Sequence, residues 1–172
     1  MIVMGVDPGS QVTGYGVVSS QGSRLQCVKY GAIKGSSLSR GAPFPERLRK
    51  IHEELAELLE QYSPSVVAVE QVFHAVNARS ALQLGHARGV ILLAAAQLGI
   101  QLVEYSPLEI KKSVSGYGRA DKEQTQTMVR VLLNLKEKPQ PYDASDALAV
   151  ALCHVFNGSP IQRGRKRSNS IP

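Results

Sequence analysis

Two short runs of apolar residues in this chain each end directly on a carboxylate. The first, IVMGV, is followed by Asp7, and the second, SVVAV, is followed by Glu70. The second run has no polar alternation, which is typical of a central strand that is buried on both faces of a sheet. A glutamate after such a run is costly to desolvate unless another group compensates its charge. The two runs therefore predict buried strands with an acid at the end of each.

Asp7 taken alone has a simpler interpretation. It begins the sequence Asp-Pro-Gly-Ser, in which Pro presets φ, Gly accepts φ > 0, and Asp or Ser can bond nearby backbone N–H groups. On that interpretation Asp7 is a turn residue and has no chemical role. A chemical role gains weight only if other acids occupy comparable places in the chain.

The rest of the pattern predicts an α/β fold with a mixed sheet. Short turns that contain Gly or Ser separate three successive strands, which favours an antiparallel meander. Helical spacing of apolar residues begins at Pro45, and Asp121 with Gln124 resembles a capping box that starts a later helix. The predicted strands are 1–7, about 12–20, about 24–34, 65–70 and 101–105, and the predicted helices are 45–62, about 77–98, one from 106, one from 121 and about 142–156. We expect a central five-stranded mixed sheet flanked by these helices.

A further pair of acidic residues lies at the start of the last predicted helix. Asp143 and Asp146 are three residues apart in PYDASDALA, so they share one helix face, with about 5–6 Å between their Cβ atoms. Taken alone, this pair is equally explained by the helix dipole, which favours acids in the first turn. With the two strand-end acids, however, four carboxylates converge, and they cannot all stay ionised without a compensating charge. All-oxygen ligation suits Mg²⁺ or Mn²⁺, and two such ions about 3.5–4 Å apart are the arrangement that cleaves phosphodiesters.

Charge and composition limit the function classes. The net charge is +6, but four basic residues lie in the last ten residues, which contain no acid, so the rest of the chain carries only +2. We expect one globular domain over 1–157 and a basic, disordered tail over 158–172. The longest apolar run has seven residues, which is too short for a membrane span, and no secretory signal pattern is present. Cys27 and Cys153 show no metal or redox spacing, which favours reduced core cysteines in a cytoplasmic protein.

Three blocks of the sequence resemble one family. GVDPGSQVTGYGVV, VEQVFHAVNARSALQLGHARG and DASDALAVAL have the layout of the ribonuclease H-like nucleases and, within them, resemble the RuvC family of bacterial Holliday-junction resolvases. The resemblance covers nearly all of residues 1–157. It implies a metal-dependent homodimeric endonuclease that resolves four-way DNA junctions by symmetric nicks, prefers a T-containing site and cooperates with a branch-migration motor. The catalytic and metal-binding residues that it implies are Asp7, Glu70, Asp143 and Asp146.

The same resemblance suggests where DNA is contacted. Phe73 would stack on a base at the junction opening, although a buried core role explains a phenylalanine as well. Asn77 and Arg79 would contact the backbone near the cut, although Arg79 also fits a solvated helix position. Basic residues near the SGYGR loop are expected either to contact phosphates or to be ordinary surface residues: Lys111, Lys112, Arg119 and Lys122.

The long second helix carries small residues on one face. Ala81, Gly85 and Gly89 would let another element approach closely. A junction has near two-fold symmetry and needs two matched cuts, so a two-fold dimer places one site on each strand. We predict that this face is the dimer interface.

Two other functions fit parts of the pattern. Actin-like phosphotransferases and ATPases also open with a strand, an Asp and a hairpin, but they need a second phosphate loop and a second domain, which 172 residues hardly allow. A sister nuclease of the ribonuclease H-like fold that acts on RNA is a closer alternative. The block around Phe73 argues against it.

Overall fold

The computed structural model describes residues 1–35, 42–71 and 77–158. Five strands form one sheet, and five helices pack on it in these ranges. The strands are β1 (Ile2–Asp7), β2 (Val12–Gln21), β3 (Arg24–Lys34), β4 (Val66–Glu70) and β5 (Gln101–Tyr105). The helices are α1 (Phe44–Tyr62), α2 (Ala78–Gln97), α3 (Pro107–Ser115), α4 (Lys122–Leu132) and α5 (Tyr142–Asn157). None of these helices is long and apolar enough to cross a membrane.

The sheet is mixed, with strand order β3-β2-β1-β4-β5. The first three strands form the predicted antiparallel meander. β4 lies parallel to β1, and β5 lies parallel to β4. The predicted five-stranded mixed sheet is therefore confirmed, and the carboxyl ends of β1 and β4 meet at one edge of it.

Helices cover both faces of the central strands, which explains why the runs in β1 and β4 do not alternate with polar residues. Val3 and Ala68 pack into one apolar cluster with α3, α4 and α5. Met4 and Val67, one position further along each strand, pack into a second cluster with α1 and α2. Successive side chains of a strand point to opposite faces, so a strand between two helical layers must be apolar throughout.

α5 packs closely against the sheet because glycines face it. A Cβ atom on Gly5 would overlap the carbonyl oxygen of Ala147, and one on Gly14 would overlap the carbonyl oxygen of Asp143. Glycine inside a strand often marks such an approach of another backbone. The missing side chains allow the backbone of α5 to rest on β1 and β2, and this fixes the height of its acidic first turn above the sheet.

The predicted start of α4 is confirmed in detail. Asp121 Oδ1 accepts a hydrogen bond from the backbone N–H of Gln124 at 2.7 Å. In return, Gln124 Oε1 accepts one from the backbone N–H of Asp121 at 3.0 Å. This is the reciprocal capping box that the sequence predicts.

Two predictions lie outside the described ranges. Phe73 falls within residues 72–76, and almost all of the basic tail falls within 159–172. The base-stacking role of Phe73, the disorder of the tail and the division of the chain at residue 157 therefore stay predictions.

Candidate active site

Asp7 and Glu70 end neighbouring parallel strands. β1 and β4 pair in register as far as Val6 and Val69, so the next residue of each strand lies at the same level of the sheet. Gly5, two positions before Asp7, lies against α5, so the side chain of Asp7 points to that face as well. Burial raises the pKa of Asp7, and the nearby negative charge of Glu70 raises it further. The two strand-end acids therefore form a single group beneath α5.

α5 brings a third acid to this group. Asp146 lines a cavity of about 250 Å³ together with Asp7 and Glu70. Lys122 of α4 and Lys111 of α3 line the same cavity, and Lys122 Nζ lies 3.4 Å from Asp146 Oδ2. The remaining lining residues are Pro107, Ile110, Thr125 and Ala149. The cavity thus combines three carboxyl groups with two amines.

Asp143 lies beside the cavity. In the part of the chain that the structure describes, it is not among the lining residues. Its negative charge nevertheless raises the pKa of both Asp7 and Asp146, and its backbone carbonyl lies against Gly14. The structure therefore brings three of the four predicted acids together and places the fourth next to them.

If all three of its carboxyl groups were ionised, the cavity would hold more negative charge than its two lysines neutralise. Burial is the main reason that the pKa of Asp7 rises from 3.8 to about 8, and the charges of Glu70 and Asp146 add to the rise. Burial also raises the pKa of Glu70 and of Asp146, an effect that Lys122 opposes in both. Asp146 in turn raises the pKa of Lys122. A further cation in the cavity would relieve this excess of negative charge.

The donor chemistry fits a hard divalent cation. All the acidic groups offer carboxylate oxygens, which Mg²⁺ and Mn²⁺ prefer. Across residues 1–35, 42–71 and 77–158, no three Asp, Glu, His or Cys side chains already stand in a metal-holding arrangement. Burial keeps the pKa of Asp7 high, and a carboxyl group must lose its proton to become a ligand. Metal binding and deprotonation of Asp7 are therefore coupled.

The raised pKa of Asp7 predicts how the stability of the metal-free protein depends on pH. In the unfolded chain Asp7 ionises near its ordinary pKa of 3.8, whereas the folded protein keeps it protonated up to about pH 8. The unfolded state therefore releases the proton first, and the free energy of unfolding should fall as pH rises from about 4 to about 8. Asp7→Asn should abolish this decrease in the free energy of unfolding, because asparagine does not ionise. The variant should be more stable than wild type at about pH 8, by up to a few kcal/mol, and equally stable at about pH 4.

Thermal unfolding in EDTA over this pH range measures the effect. The control is Glu57→Gln, which removes an exposed carboxyl group on α1 and should leave the pH profile of the wild type unchanged. Parallel profiles for wild type and Asp7→Asn would contradict the prediction, because they would mean that Asp7 is already ionised in the folded protein.

The predicted phosphate-contacting residues fall into two groups. Lys111 and Lys122 line the acidic cavity. Lys112 and Arg119 are exposed on α3 and on the loop that follows it. The fold thus brings two of the four basic residues to the acids, although the side chain of Lys122 is itself 74% exposed, and it leaves Lys112 and Arg119 outside the cavity lining.

Asn77 has a structural role that the sequence analysis did not assign. Its side-chain oxygen accepts a hydrogen bond from the backbone N–H of Ser80 at 2.9 Å, which caps the start of α2. Its amide nitrogen remains the group that can donate a hydrogen bond to a DNA phosphate. Arg79, in the first turn of α2, is exposed.

Sequence analysis missed Thr13 and Gly14, which support Asp7. Thr13 is fully buried, and its hydroxyl donates a 2.8 Å hydrogen bond to the carbonyl oxygen of Gly9, which closes the turn after Asp7. Gly14 pairs with Asp7 across β1 and β2 and leaves room for the backbone of Asp143. Two features of the sequence could have indicated these residues. Gly14 lies inside a predicted strand, and Thr13 follows the turn glycine Gly9 by four residues.

Comparison with known proteins identifies the family. The sequence model of the family described as crossover junction endodeoxyribonuclease RuvC matches residues 3–154. The RuvC endonuclease of Citrifermentans bemidjiense is 54% identical to this chain and covers 91% of it, which is 93% of the relative. The RuvC endonuclease of Koribacter versatilis is 48% identical over 95% of this chain and 97% of the relative.

A solved structure gives the same result. The structure of T. thermophilus RuvC in complex with Holliday junction substrate is similar to this one, with a TM-score of 0.84 and 37% sequence identity over 91% of this chain and 93% of that one. This similarity confirms the expected ribonuclease H-like fold with its five-stranded mixed sheet. Since the family model spans every element that carries an acid of the site, the chain belongs to the RuvC family of crossover junction endodeoxyribonucleases.

Proposed function

We propose that this chain is a metal-dependent, structure-selective endonuclease that resolves four-way DNA junctions by paired symmetric nicks during recombination and repair. The observation that carries the proposal is the grouping of Asp7, Glu70 and Asp146 around one cavity with Lys111 and Lys122. The T. thermophilus relative holds a Holliday junction substrate. Acids that can bind a cation, next to amines that can bind phosphate, support hydrolysis of the backbone of such a junction.

We assign the cation-binding role to four acids: Asp7, Glu70, Asp143 and Asp146. They would hold Mg²⁺, which Mn²⁺ can replace, with two ions in each site. When bound, such ions activate a water molecule and stabilise the leaving oxygen of the cleaved phosphodiester. Asp7 must first release its proton, since only the carboxylate is a ligand. Lys111 and Lys122 would hold the scissile phosphate close to the acids through their charge.

We propose that residues around the cavity position the DNA. Lys112 and Arg119 are exposed and would contact backbone phosphates without reading the sequence. Asn77, through its amide nitrogen, and Arg79 would contact the strand near the cut. Phe73, which lies outside the described residues, would stack on a base at the junction opening.

Cleavage of a synthetic four-way junction tests this function. With Mg²⁺ or Mn²⁺ we expect paired nicks in two opposed strands, and no cutting of a plain duplex of the same sequence. Ca²⁺, which is larger and less exacting in geometry, should permit binding but little cutting. Equal cutting of the plain duplex, or cutting of RNA-containing substrates alone, would overturn the proposal. Turnover of ATP without nuclease activity would instead indicate an actin-like phosphotransferase.

We propose that two copies of the chain pair through α2. A groove of about 460 Å³ between α1 and α2 is lined almost entirely by apolar atoms. Its residues are Leu48, Ala81, Leu82, Gly85, His86, Gly89, Val90 and Leu93. Leu82 and Leu93 are 65% and 52% exposed. In the described part of the chain, nothing apart from the adjoining turns of α2 itself lies within 4 Å of a Cβ atom built on Gly85 or Gly89. A second copy related by a two-fold axis would cover this face with its own α2.

Gly85→Leu is expected to weaken dimer formation by at least about 10-fold, because the leucine occupies the space left for the partner helix. The fold of each subunit should not suffer, since the site is open in the single chain and leucine is a better helix former than glycine. Sedimentation velocity measures the shift toward monomer, and junction cutting should change from paired to single nicks.

Glu57→Leu is the matched control for this variant. It adds the same side chain at an exposed position of α1 and should leave association unchanged. If Gly85→Leu sediments as wild type does, the interface lies elsewhere on the molecule.

We propose further that the chain divides into a nuclease domain over 1–157 and a disordered tail over 158–172. The tail is basic and contains no acid, so it would add affinity for DNA through non-specific contacts with phosphates. The family resemblance supports a T-containing cleavage site, action in the cytoplasm and cooperation with a branch-migration motor.

A further inference from the structure

A buried polar pair joins the end of β5 to α5. The hydroxyl of Tyr105 lies 2.9 Å from Nδ1 of His154, and the two rings meet edge to face with their centroids 6.0 Å apart. Tyr105 is 9% exposed and His154 is 2% exposed. Burial lowers the pKa of His154, which favours the neutral form of the imidazole. The bond is therefore an interaction between two neutral groups inside the apolar cluster under α5.

Tyr105 stands next to Glu70. The two residues pair across β4 and β5, and the backbone N–H of Gln71 donates a 2.8 Å hydrogen bond to the carbonyl oxygen of Tyr105. Residues that pair across parallel strands point to the same face of the sheet. Glu70 therefore lies between Asp7 on β1 and Tyr105 on β5.

α5 crosses the sheet above this row of residues and is held near both of its ends. At its first turn, the backbone of Asp143 rests on Gly14 of β2, which pairs with Asp7. Near its last turn, His154 is bonded to Tyr105 of β5, which pairs with Glu70. Asp146 lies between these two attachments.

We propose that the Tyr105–His154 hydrogen bond positions Glu70 relative to the acids of α5, so that Tyr105 and His154 are positioning residues for the metal site. This inference rests on the proposed function of the acids. Apolar contacts alone would let a helix slide on a sheet by a fraction of an ångström, because they have no preferred direction. A buried hydrogen bond fixes both distance and angle. Small errors in the placement of metal ligands are costly to catalysis.

A double variant separates positioning from stability. Tyr105→Phe or His154→Leu alone removes the hydrogen bond between the two side chains and keeps the other polar group buried, and each is expected to lower the Tm. Tyr105→Phe with His154→Leu removes both polar groups and should recover most of that loss. If the bond positions Glu70, the recovered double variant should still cleave a four-way junction about 10-fold more slowly in single-turnover assays. Its affinity for Mn²⁺, measured by electron paramagnetic resonance, should fall by about the same factor, while its junction Kd stays unchanged.

The control variant is Glu70→Gln, which tests the proposed function separately. If Glu70→Gln cuts at the wild-type rate, the assignment of the acids fails. If Glu70→Gln is inactive but the double variant has the wild-type cleavage rate and Mn²⁺ affinity, the positioning role is overturned and the site stands. If the double variant does not fold, Tyr105→Phe assayed at low temperature tests the positioning role instead. A wild-type Mn²⁺ affinity in Tyr105→Phe would then overturn the inference.

Discussion

Asp7→Asn is expected to abolish junction cleavage while junction binding stays as tight as in wild type, or becomes tighter. Asparagine keeps the volume of aspartate but cannot supply the negative charge that binds a cation. We expect the cleavage rate to fall by about 100-fold or more, since even the outer partners of metal ligands contribute about 10–100-fold. Junction affinity should not fall, because Lys111 and Lys122 are unchanged in the variant and continue to attract the phosphates.

Two measurements on the same protein preparation test this prediction. Single-turnover cleavage in Mg²⁺ gives the chemical rate, and junction binding in Ca²⁺ gives the affinity without cutting. Glu57→Gln, the exposed carboxyl control on α1, should match wild type in both. Cleavage by Asp7→Asn at a near wild-type rate would return Asp7 to the role of a turn residue. A folded variant that no longer binds the junction would mean that Asp7 belongs to a different kind of ligand site.

Gly14→Ala should have the second largest effect, although it adds a single methyl group. The new Cβ atom would overlap the backbone carbonyl oxygen of Asp143, and a backbone atom cannot rotate away as a side chain can. The first turn of α5 must therefore move off β2 and carry Asp143 and Asp146 away from Asp7. We expect cleavage to fall by about 100-fold and stability to fall by about 1–3 kcal/mol, the usual cost of overpacking. Junction binding below the Tm should persist, because Lys111 and Lys122 lie on other helices.

Gly31→Ala is the matched control in the same sheet. Its Cβ atom would meet the outer part of the Tyr15 ring, a side chain that can turn aside. This variant should cleave junctions at close to the wild-type rate, with a smaller change in Tm. If Gly14→Ala cleaves as fast as Gly31→Ala, the height of α5 above the sheet does not control the geometry of the acids.

The strand-end acids are predictable from the sequence because the signal that marks them is local. A run of apolar residues indicates a buried strand, and the residue that ends the run is read directly as Asp7 or Glu70. The capping box of Asp121 and Gln124 is predictable for the same reason, since its partners are three residues apart. Glu70 ends the neighbouring parallel strand, and this second strand-end acid favours a chemical role for Asp7 over the role of a turn residue.

Which basic residues join the site could not be predicted in this way. Lys122 and Asp146 lie 24 positions apart in the chain, yet their side chains are 3.4 Å apart. By sequence, Lys111 and Lys112 are equivalent neighbours near a flexible loop, and the turn of α3 is what places the first in the cavity and leaves the second in solvent.

Local pattern thus specified the elements of this protein and the acids at their ends, since periodicity, turn chemistry and capping act over a few residues. Three-dimensional packing specified how those acids meet. α5 can approach β2 because Gly14 has no side chain beneath Asp143. The other end of α5 is attached through Tyr105 and His154, 49 residues apart in the chain. Contacts between such distant residues depend on the shape of the whole core, and neither spacing nor residue propensity encodes them.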